Sequence, residues 1–264
     1  MNQEKQVSGK AETTEKGENI FAGFDFESLK IDVQEMFKAG VYFGHQKSRK
    51  NPKMDPYIFG VRNGINIIDL EKTAEKIKEV QDFIRKITAE GQDILLVGTK
   101  KQVKKIILDA ATVTGMPYVV ERWLGGTFTN FPAISKRTRY LRETEEKQER
   151  GELSQYTKFE QMKIREELEK LEEKMGGIKN MSKAPGAIFV TGINEDKLAI
   201  REAQKKNIPI IALADTNVNP EGIDFIIPAN EDALSSLRLM TAFIVQAILE
   251  GKKRVVETVP TPKN

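Results

Sequence analysis

The chain has 264 residues and is densely charged, with 42 basic and 39 acidic residues and a net charge of +3. It contains no Cys and one His, which excludes disulfides, thiolate metal sites and Cys nucleophiles and leaves no second His for a His-based cluster. No uncharged apolar run reaches about 18 residues and no apolar stretch opens the chain, so we expect neither a membrane span nor a secretory signal. The composition therefore predicts a cytoplasmic protein without membrane partners.

The charge is unequally divided along the chain. Residues 1–34 hold four Lys and seven acidic residues, a balance of −3, so residues 35–264 carry +6. Residues 1–32 are predicted to form a disordered acidic tail because the first part of this stretch has almost nothing to bury. Residues 252–264 are predicted to form a flexible tail. Three Phe between Phe21 and Phe26 interrupt the N-terminal tail, and packing against the body is favoured over a motif that docks a partner.

Short apolar runs alternate with amphipathic stretches from residue 57 onward. Strand-like YIFGV (57–61) and INIIDL (65–70) flank an Asn-Gly pair that is typical of a β-hairpin. Apolar runs predict buried parallel strands at 93–98, 117–120, 187–192, 208–213 and 225–228. Amphipathic stretches predict helices at about 71–89, 100–114, 195–206 and 232–250. The alternation predicts a doubly wound α/β domain built from residues 33–131 and 179–251.

Residues 132–178 break this alternation with charged helix-forming residues, 12 Lys or Arg and 11 Glu between Lys136 and Lys179. Apolar residues recur in the second half at the spacing of a heptad seam, at Ile164, Leu168, Leu171 and Met175. Thr157 followed by Glu160 predicts a capping box at the start of the second helix. We therefore predict an antiparallel helical (coiled-coil) hairpin inserted between two strands, with its tip near residues 151–156.

Two basic segments are candidate anion sites. GTKKQVKK (98–105) joins a predicted strand to a helix and carries Lys100, Lys101 and Lys104. Anion binding and a solvated helix face are about equally favoured there, because helix N–H groups attract anions but the glycine pattern of a P-loop is absent. GHQKSRKNPKM (44–54) carries His45 and Gln46 and then four cations without a neighbouring acid, at Lys47, Arg49, Lys50 and Lys53. A polyanion partner explains this cluster better than a solvated loop.

Two further segments carry polar residues beside predicted strand ends. ERWLGGTFTNF (121–131) places the single Trp, Trp123, next to Arg122, and we favour a packed hinge for Trp123 over base stacking. A mixed role is expected for Arg122. Asp215 is a candidate ligand for a metal or a ribose, although a carboxylate that caps a turn is the commoner outcome. His45 is expected to be a hydrogen-bonded or RNA-contacting imidazole and not a general base.

The sequence shows no paired carboxylates, no nucleophile with its base and no metal-spaced cluster, so no catalytic residue, metal site or cofactor is predicted. Two functions remain open from the residues alone. One is a scaffold protein that binds RNA mainly by neutralising phosphates. The other is a small-molecule enzyme of the nucleotide-binding α/β type, which would use the strand ends at Gly98 and Asp215. The second lacks a phosphate-binding fingerprint.

The same residues, in this order, resemble the bacterial small-subunit ribosomal protein two family, known as uS2. The resemblance covers residues 33–251, roughly four-fifths of the chain. Its motifs are AGVYFGHQ (39–46), NPKMDPYIFGVRNGINIIDLEKT (51–73), LLVGTKKQ (95–102), MPYVVERWLGGTFTNF (116–131), MGGIKNM (175–181) and the stretch 214–233. The resemblance implies a flavodoxin-like parallel sheet with a protruding helical hairpin.

The resemblance also implies a structural, non-enzymatic role in the small ribosomal subunit, without a small-molecule substrate. Family members contact small-subunit rRNA and neighbouring ribosomal proteins, and they help to recruit the large mRNA-binding ribosomal protein one. The matching motifs imply RNA contacts at His45, Gln46, Lys47, Arg49, Lys53, Arg62, Lys100, Lys101 and Arg122. Charge and position add Lys50, Lys104, Arg137 and Arg139.

The chain departs from the family pattern at several positions. Tyr42 and Glu121 stand where many relatives carry His, and Gly186 and Gly192 stand where a common pattern has Asp. Ala229 stands where relatives usually carry Gly. Because Gly is favoured where φ is positive, the conformation at this position shows whether the turn requires Gly. Residues 1–32 have no recognisable counterpart in the family.

Overall fold

The computed structural model describes residues 19–258, with side chains to Arg254. The strands are β1 Phe43–Gln46, β2 Ile58–Arg62, β3 Ile65–Ile68, β4 Ile94–Val97, β5 Tyr118–Val119, β6 Ala187–Val190, β7 Ile210–Ala214 and β8 Phe225–Pro228. The helices are α1 Val33–Lys38, α2 Leu70–Ala89, α3 Lys104–Thr114, α4 Phe131–Glu149, α5 Lys158–Met175, α6 Lys197–Lys205 and α7 Leu234–Thr258.

Strands β4 to β8 form a parallel sheet in the order β5-β4-β6-β7-β8, the flavodoxin-like order. Apolar residues along β4 point alternately to two cores. Ile94 and Leu96 belong to one core, Leu95 and Val97 to the other, and all four are fully buried. A strand buried on both faces must be continuously apolar, which is the pattern that predicted it. The predicted fold class is therefore confirmed.

Helices cover both faces of this sheet. One core contains side chains from α2, α3 and α7, and the other contains side chains from α6 and from the base of the hairpin. Residues 234–254 of α7 are long and apolar enough to cross a membrane by length and composition, but 67% of that window is buried inside the protein. The apolar character of α7 is thus used in packing against the sheet.

A second, antiparallel sheet has the order β1-β3-β2. Asn63 and Gly64 both have positive φ angles, +52° and +77°, as a type I′ turn between β2 and β3 requires. The hairpin predicted from the Asn-Gly pair is confirmed. The sequence pattern predicts no strand at β1, since residues 44–54 are interpreted as a basic loop. The Gly and His of FGHQ weaken the alternating apolar pattern by which a strand is recognised.

Helices α4 and α5 form the inserted hairpin. The capping box at Thr157 and Glu160 is present, with the Thr side chain and the Glu side chain each bonded to the backbone of the other. Leu141 and Leu168 are buried between the two helices, at 0% and 6% exposure. A narrow apolar seam thus joins two helices that are otherwise charged and exposed.

Residues 19–32 pack against the body, whereas the sequence predicts a disordered tail to residue 32. Phe21 is 2% exposed and joins the core that contains α7. The backbone N–H of Ile20 donates to Asp109, and Gln246 donates to the carbonyls of Phe26 and Leu29. The aromatic side chains supply the apolar area that the polar stretch before them lacks. Residues 1–18 and 259–264 lie outside the described residues, and α7 continues through 252–258.

Candidate nucleic-acid interface

The basic turn, residues 47–53, follows β1 and is fixed over the end of β7. The backbone N–H of His45 donates to the Thr216 hydroxyl, and that of Asn51 donates to the Thr216 carbonyl, both at 2.8 Å. A Cβ at Gly44 would lie 2.5 Å from Thr216 Cγ2, so the close approach of β1 requires Gly at this position. Thr216, two residues after the end of β7, therefore anchors the backbone on both sides of the basic turn.

Three exposed cations share one end of the antiparallel sheet. Lys47 and Arg49 belong to the basic turn, and the backbone N–H of Lys47 donates to Gly64 in the β2–β3 turn at 2.9 Å. Arg62 is the last residue of β2, directly before that turn. None of the three forms an ion pair with another described residue. Their charge is therefore available to an external anion.

The remaining residues of this segment are placed differently. Gln46 is exposed at the end of β1. Lys50 pairs with Asp55 at 2.5 Å, and Lys53 pairs with Glu221. The sequence places no acid within the turn, but folding brings a carboxylate to each of these two Lys. Both pairs are on the surface, where an ion pair contributes little to stability and the Lys can easily exchange its carboxylate for another anion.

A second group of cations surrounds the start of α3 and the end of β5. Residues 101–103 form a turn, so α3 begins at Lys104 and not at residue 100 as predicted. Lys104 pairs with Glu121 at 2.5 Å, which ties the start of α3 to the segment after β5. Lys101 and Arg122 are exposed and have no ion-pair partner among the described residues. Arg137 and Arg139 are likewise exposed and unpaired in the first turns of α4.

The His45 side chain is directed towards carboxylates. Its Nδ1 lies 3.1 Å from Asp215 Oδ1 and its Nε2 lies 3.4 Å from Asp232 Oδ2. The hydrogen bond to Asp215, with the nearby carboxylates, outweighs burial and raises the pKa of His45. Asp215 is 1% exposed and also accepts from the backbone N–H of Thr216 at 2.5 Å. Asp215 therefore bonds to the segment after β7 and to the backbone N–H of Glu231 after β8, and holds the imidazole as well.

Lys100 lies in the strand-end acidic cluster, which we define as Glu195, Asp196, Asp215, Glu231 and Asp232. Its Nζ is 2.9 Å from Glu231 and 3.2 Å from Asp232. Burial lowers the pKa of Lys100, but the hydrogen bond to Glu231 and the nearby carboxylates outweigh it and raise the pKa. Lys100 is 13% exposed, so its charge is used within the fold.

The strand-end acidic cluster carries more negative charge than its cations neutralise. Burial raises the pKa of Glu231 to about 7 despite the hydrogen bond from Lys100. Burial also raises the pKa of Asp196 to about 6, against the hydrogen bonds from Thr99. One oxygen of each of these two carboxylates is buried without a hydrogen-bond partner. Keeping these carboxylates ionised inside the protein therefore costs free energy.

Glu202 on α6 organises the loop between β5 and α4, and sequence reasoning missed it. It is 5% exposed and accepts hydrogen bonds from the backbone N–H groups of Gly126, Phe128 and Thr129 at 2.7–3.1 Å. Burial raises the pKa of Glu202, but these bonds outweigh it and lower the pKa. Trp123 is 5% exposed and packs edge-on against Phe128, in agreement with the favoured hinge role. A Glu beside the apolar stripe of α6 was the available signal.

Comparisons with known proteins match this chain across its globular part. The family model described as "Ribosomal protein S2" matches residues 36–251. The chain belongs to the ribosomal protein S2 family. It is 47% identical to the small ribosomal subunit protein uS2 of Roseiflexus sp. (strain RS-1), over 85% of this chain and 86% of that protein.

Two other uS2 relatives show a similar degree of identity. The protein of Roseiflexus castenholzii is 48% identical over 85% of each chain. That of Chloroflexus aggregans is 45% identical over 85% of this chain and 94% of its own length. Members of this family are structural proteins of the small subunit and not enzymes, so the protein is a ribosomal protein of the cytoplasmic ribosome. The alternative of a nucleotide-using enzyme is thereby removed.

The positions that depart from the S2 family pattern have local roles. Tyr42 stacks on Phe37, with ring centroids 4.5 Å apart and planes inclined by 6°. Glu121 forms the ion pair with Lys104. Ala229 is fully buried and is not among the described residues with a positive φ angle, so this turn does not require Gly.

Proposed function

We propose that the protein binds small-subunit rRNA through cations grouped around the carboxyl edge of the parallel sheet and the base of the hairpin. One observation carries the proposal. Seven predicted contacts are exposed and have no ion-pair partner among the described residues: Lys47, Arg49, Arg62, Lys101, Arg122, Arg137 and Arg139. Unpaired cations that are grouped on one part of the surface favour a polyanionic partner, whereas isolated unpaired cations do not.

Phosphate neutralisation supplies the binding free energy in this account. Each Lys or Arg that reaches a phosphate releases counterions, which makes affinity strongly dependent on salt. Such contacts fix the orientation of the protein and do not read sequence. Lys50, Lys53 and Lys104 add to the same surface because their ion pairs are partly exposed and can exchange an acidic partner for a phosphate.

Lys100 and His45 have a different part in this proposal. Both are predicted RNA contacts, and both are engaged by the strand-end acidic cluster. They support the interface indirectly, since His45 precedes the basic turn and Lys100 precedes Lys101 in the chain. Gln46, which is exposed beside them, remains a proposed direct contact.

Protein partners are the second part of the proposed function. Large apolar side chains are exposed near the tip of the hairpin, where Tyr156, Phe159 and Met162 are 44%, 59% and 49% exposed. Exposed aromatic and Met side chains are enriched in protein interfaces. We assign this surface to neighbouring small-subunit proteins, and the family resemblance adds the recruitment of ribosomal protein one.

The test compares two charge-matched variants for incorporation into small subunits. Replacing Lys47, Arg49 and Arg62 with Ala removes three exposed cations of the interface. Replacing Lys78, Lys86 and Lys205 with Ala removes three exposed, unpaired cations on α2 and α6. We expect the first variant to lose about tenfold to a hundredfold in affinity, measured by co-sedimentation with subunits depleted of the protein, and the second to retain it.

Both variants should keep the thermal transition of the parent protein, because none of the six side chains is buried. Equal incorporation of the two variants would contradict the assigned surface. Unfolding of the first variant would show that its side chains are structural and that the site assignment is wrong.

A further inference from the structure

The turn between β2 and β3 contains a dipeptide that can react with itself. Asn63 is the only Asn of the chain that is followed by Gly. The backbone nitrogen after an Asn can attack the side-chain amide, and Gly hinders this attack least because it has no side chain and its backbone rotates most freely. Asn63 and Gly64 are both exposed, and a Cβ at Gly64 would meet nothing within 4 Å. Water and hydroxide therefore reach both residues.

The two reacting groups have no hydrogen-bond partner among the described residues. This holds for the side-chain amide of Asn63 and for the backbone N–H of Gly64, whose carbonyl accepts from the N–H of Lys47 at 2.9 Å. Asn63 has a φ angle of +52°, which residues other than Gly adopt at some cost in free energy. Local opening at the tip of the hairpin releases this cost and lets the Asn63 backbone rotate towards a reactive geometry.

We propose that Asn63 is a site of spontaneous deamidation and that the new carboxylate weakens RNA binding at the adjacent cations. Hydroxide removes the proton from the Gly64 N–H, the nitrogen forms a bond to Asn63 Cγ, and the Cγ–Nδ2 bond breaks. The leaving nitrogen takes a proton from water and departs as ammonia. Water then adds to either carbonyl of the five-membered imide, and the bond from that carbonyl to the Gly64 nitrogen breaks. One water is consumed, one ammonia is released, and the product is aspartate or isoaspartate.

The new charge would arise among the cations that are proposed to bind RNA. Asn63 follows Arg62 directly, and Gly64 is bonded to the backbone of Lys47. A carboxylate at this position attracts these cations and repels phosphate, so it offsets about one phosphate contact. Isoaspartate also inserts an extra carbon into the backbone, which is incompatible with the two-residue type I′ turn. The effect on RNA rests on the proposed function, whereas the chemical modification does not.

Asn207 provides a control within the same molecule. It is exposed and has the same φ angle of +52°, but it is followed by Ile208. Ile208 is 6% exposed, and its N–H donates to the Ala203 carbonyl at 3.0 Å. A β-branched, buried residue with a bonded N–H holds the attacking nitrogen in place. Two Asn residues of equal exposure and φ angle should therefore differ in reactivity.

The first experiment incubates the full chain at pH 8.5, where hydroxide promotes the reaction, and follows the mass of the two Asn-containing peptides over time. We expect amide loss at Asn63 to be at least about tenfold faster than at Asn207, with aspartate and isoaspartate as separate products. The matched variant is Asn63→Gly, which removes the amide and keeps a Gly-Gly pair that also favours a type I′ turn. No amide loss at Asn63, or equal loss at Asn207, would overturn the proposal.

The second experiment measures co-sedimentation with small subunits depleted of the protein. We expect the incubated parent protein and fresh Asn63→Asp to bind about fivefold more weakly than the fresh parent, and incubated Asn63→Gly to bind as tightly as before incubation. Asp-Gly also favours a type I′ turn, so Asn63→Asp should fold. Unchanged affinity in the deamidated parent and in Asn63→Asp would overturn the proposed effect on RNA.

The variant with Ala at Lys47, Arg49 and Arg62 separates this failure from a failure of the proposed function. If that variant binds subunits weakly while the deamidated protein binds them normally, the cations contact RNA and only the inference about Asn63 is wrong. If both bind normally, the assigned RNA surface is wrong as well.

Discussion

The basic turn and the strand-end acidic cluster lie side by side, joined by His45, and use their charges in opposite ways. The turn presents Lys47 and Arg49 to solvent without acidic partners, whereas the cluster surrounds Lys100 with carboxylates. The difference is burial, since Lys100 is 13% exposed and the two cations of the turn are on the surface. Residue type alone does not separate a cation that binds a partner from one that stabilises the fold.

Among variants that distinguish the two regions, Lys100→Ala is expected to change the free energy of unfolding most. Removing this amine leaves Glu231 buried without a counter-charge, and the free energy of unfolding should fall by about 3 kcal/mol at pH 8. Urea unfolding followed by circular dichroism measures this change. Lys101→Ala is the matched control, and it should alter stability by less than about 0.5 kcal/mol. Equal losses in the two variants would break the distinction between the two regions.

The next effect concerns the junction of the two regions. Gly44→Ala places a methyl group 2.5 Å from Thr216 Cγ2, and the resulting overlap should cost about 2 kcal/mol of unfolding free energy. Gly60→Ala on β2 is the control, because its Cβ would meet nothing within 4 Å and its φ angle is not in the left-handed region. The measurement is the urea midpoint of each variant. A Gly44→Ala variant as stable as Gly60→Ala would show that β1 is not held against the sheet in this way.

The smallest effect is the pH dependence that Asp196 imposes on the cluster. Its pKa is raised from 3.8 to about 6, so the folded state holds a proton that the unfolded state has lost. The stability gained from this proton is present at low pH and is lost as the pH rises through about 6. We expect Asp196→Asn to remove about 1–2 kcal/mol of the fall in unfolding free energy between pH 5 and pH 7.5. Parallel curves for the parent and the variant would contradict the assignment.

The fold was predictable where one short segment carries its own signal. The apolar runs that became β4, β6 and β7 are buried on both faces, and the Asn63-Gly64 pair fixes its turn through backbone conformation alone. β1 gave no such signal because its pairing with β3, and not its own apolar pattern, makes it a strand. The prediction that Phe21 packs against the body is confirmed. The predicted end of the disordered tail at residue 32 is wrong, because residues 19–32 pack against the body as well.

The sequence predicts which cations belong to the candidate site, but it does not predict how they and their partners are arranged in space. The contacts of Lys53 with Glu221 and of His45 with Asp215 each join residues more than 160 positions apart, and no local pattern reports them. Such contacts depend on the strand order of the sheet. The buried role of Glu202 depends equally on the path of the loop that it holds.

The most direct test of the phosphate-binding account is the affinity of the protein for small-subunit rRNA across a salt series. If about six cations reach phosphates, log K should fall against log salt with a slope of roughly −5. The variant with Ala at Lys47, Arg49 and Arg62 should show a slope of roughly −3, since about three phosphate contacts are lost. A slope near zero for the parent protein, or one unchanged in that variant, would contradict the account.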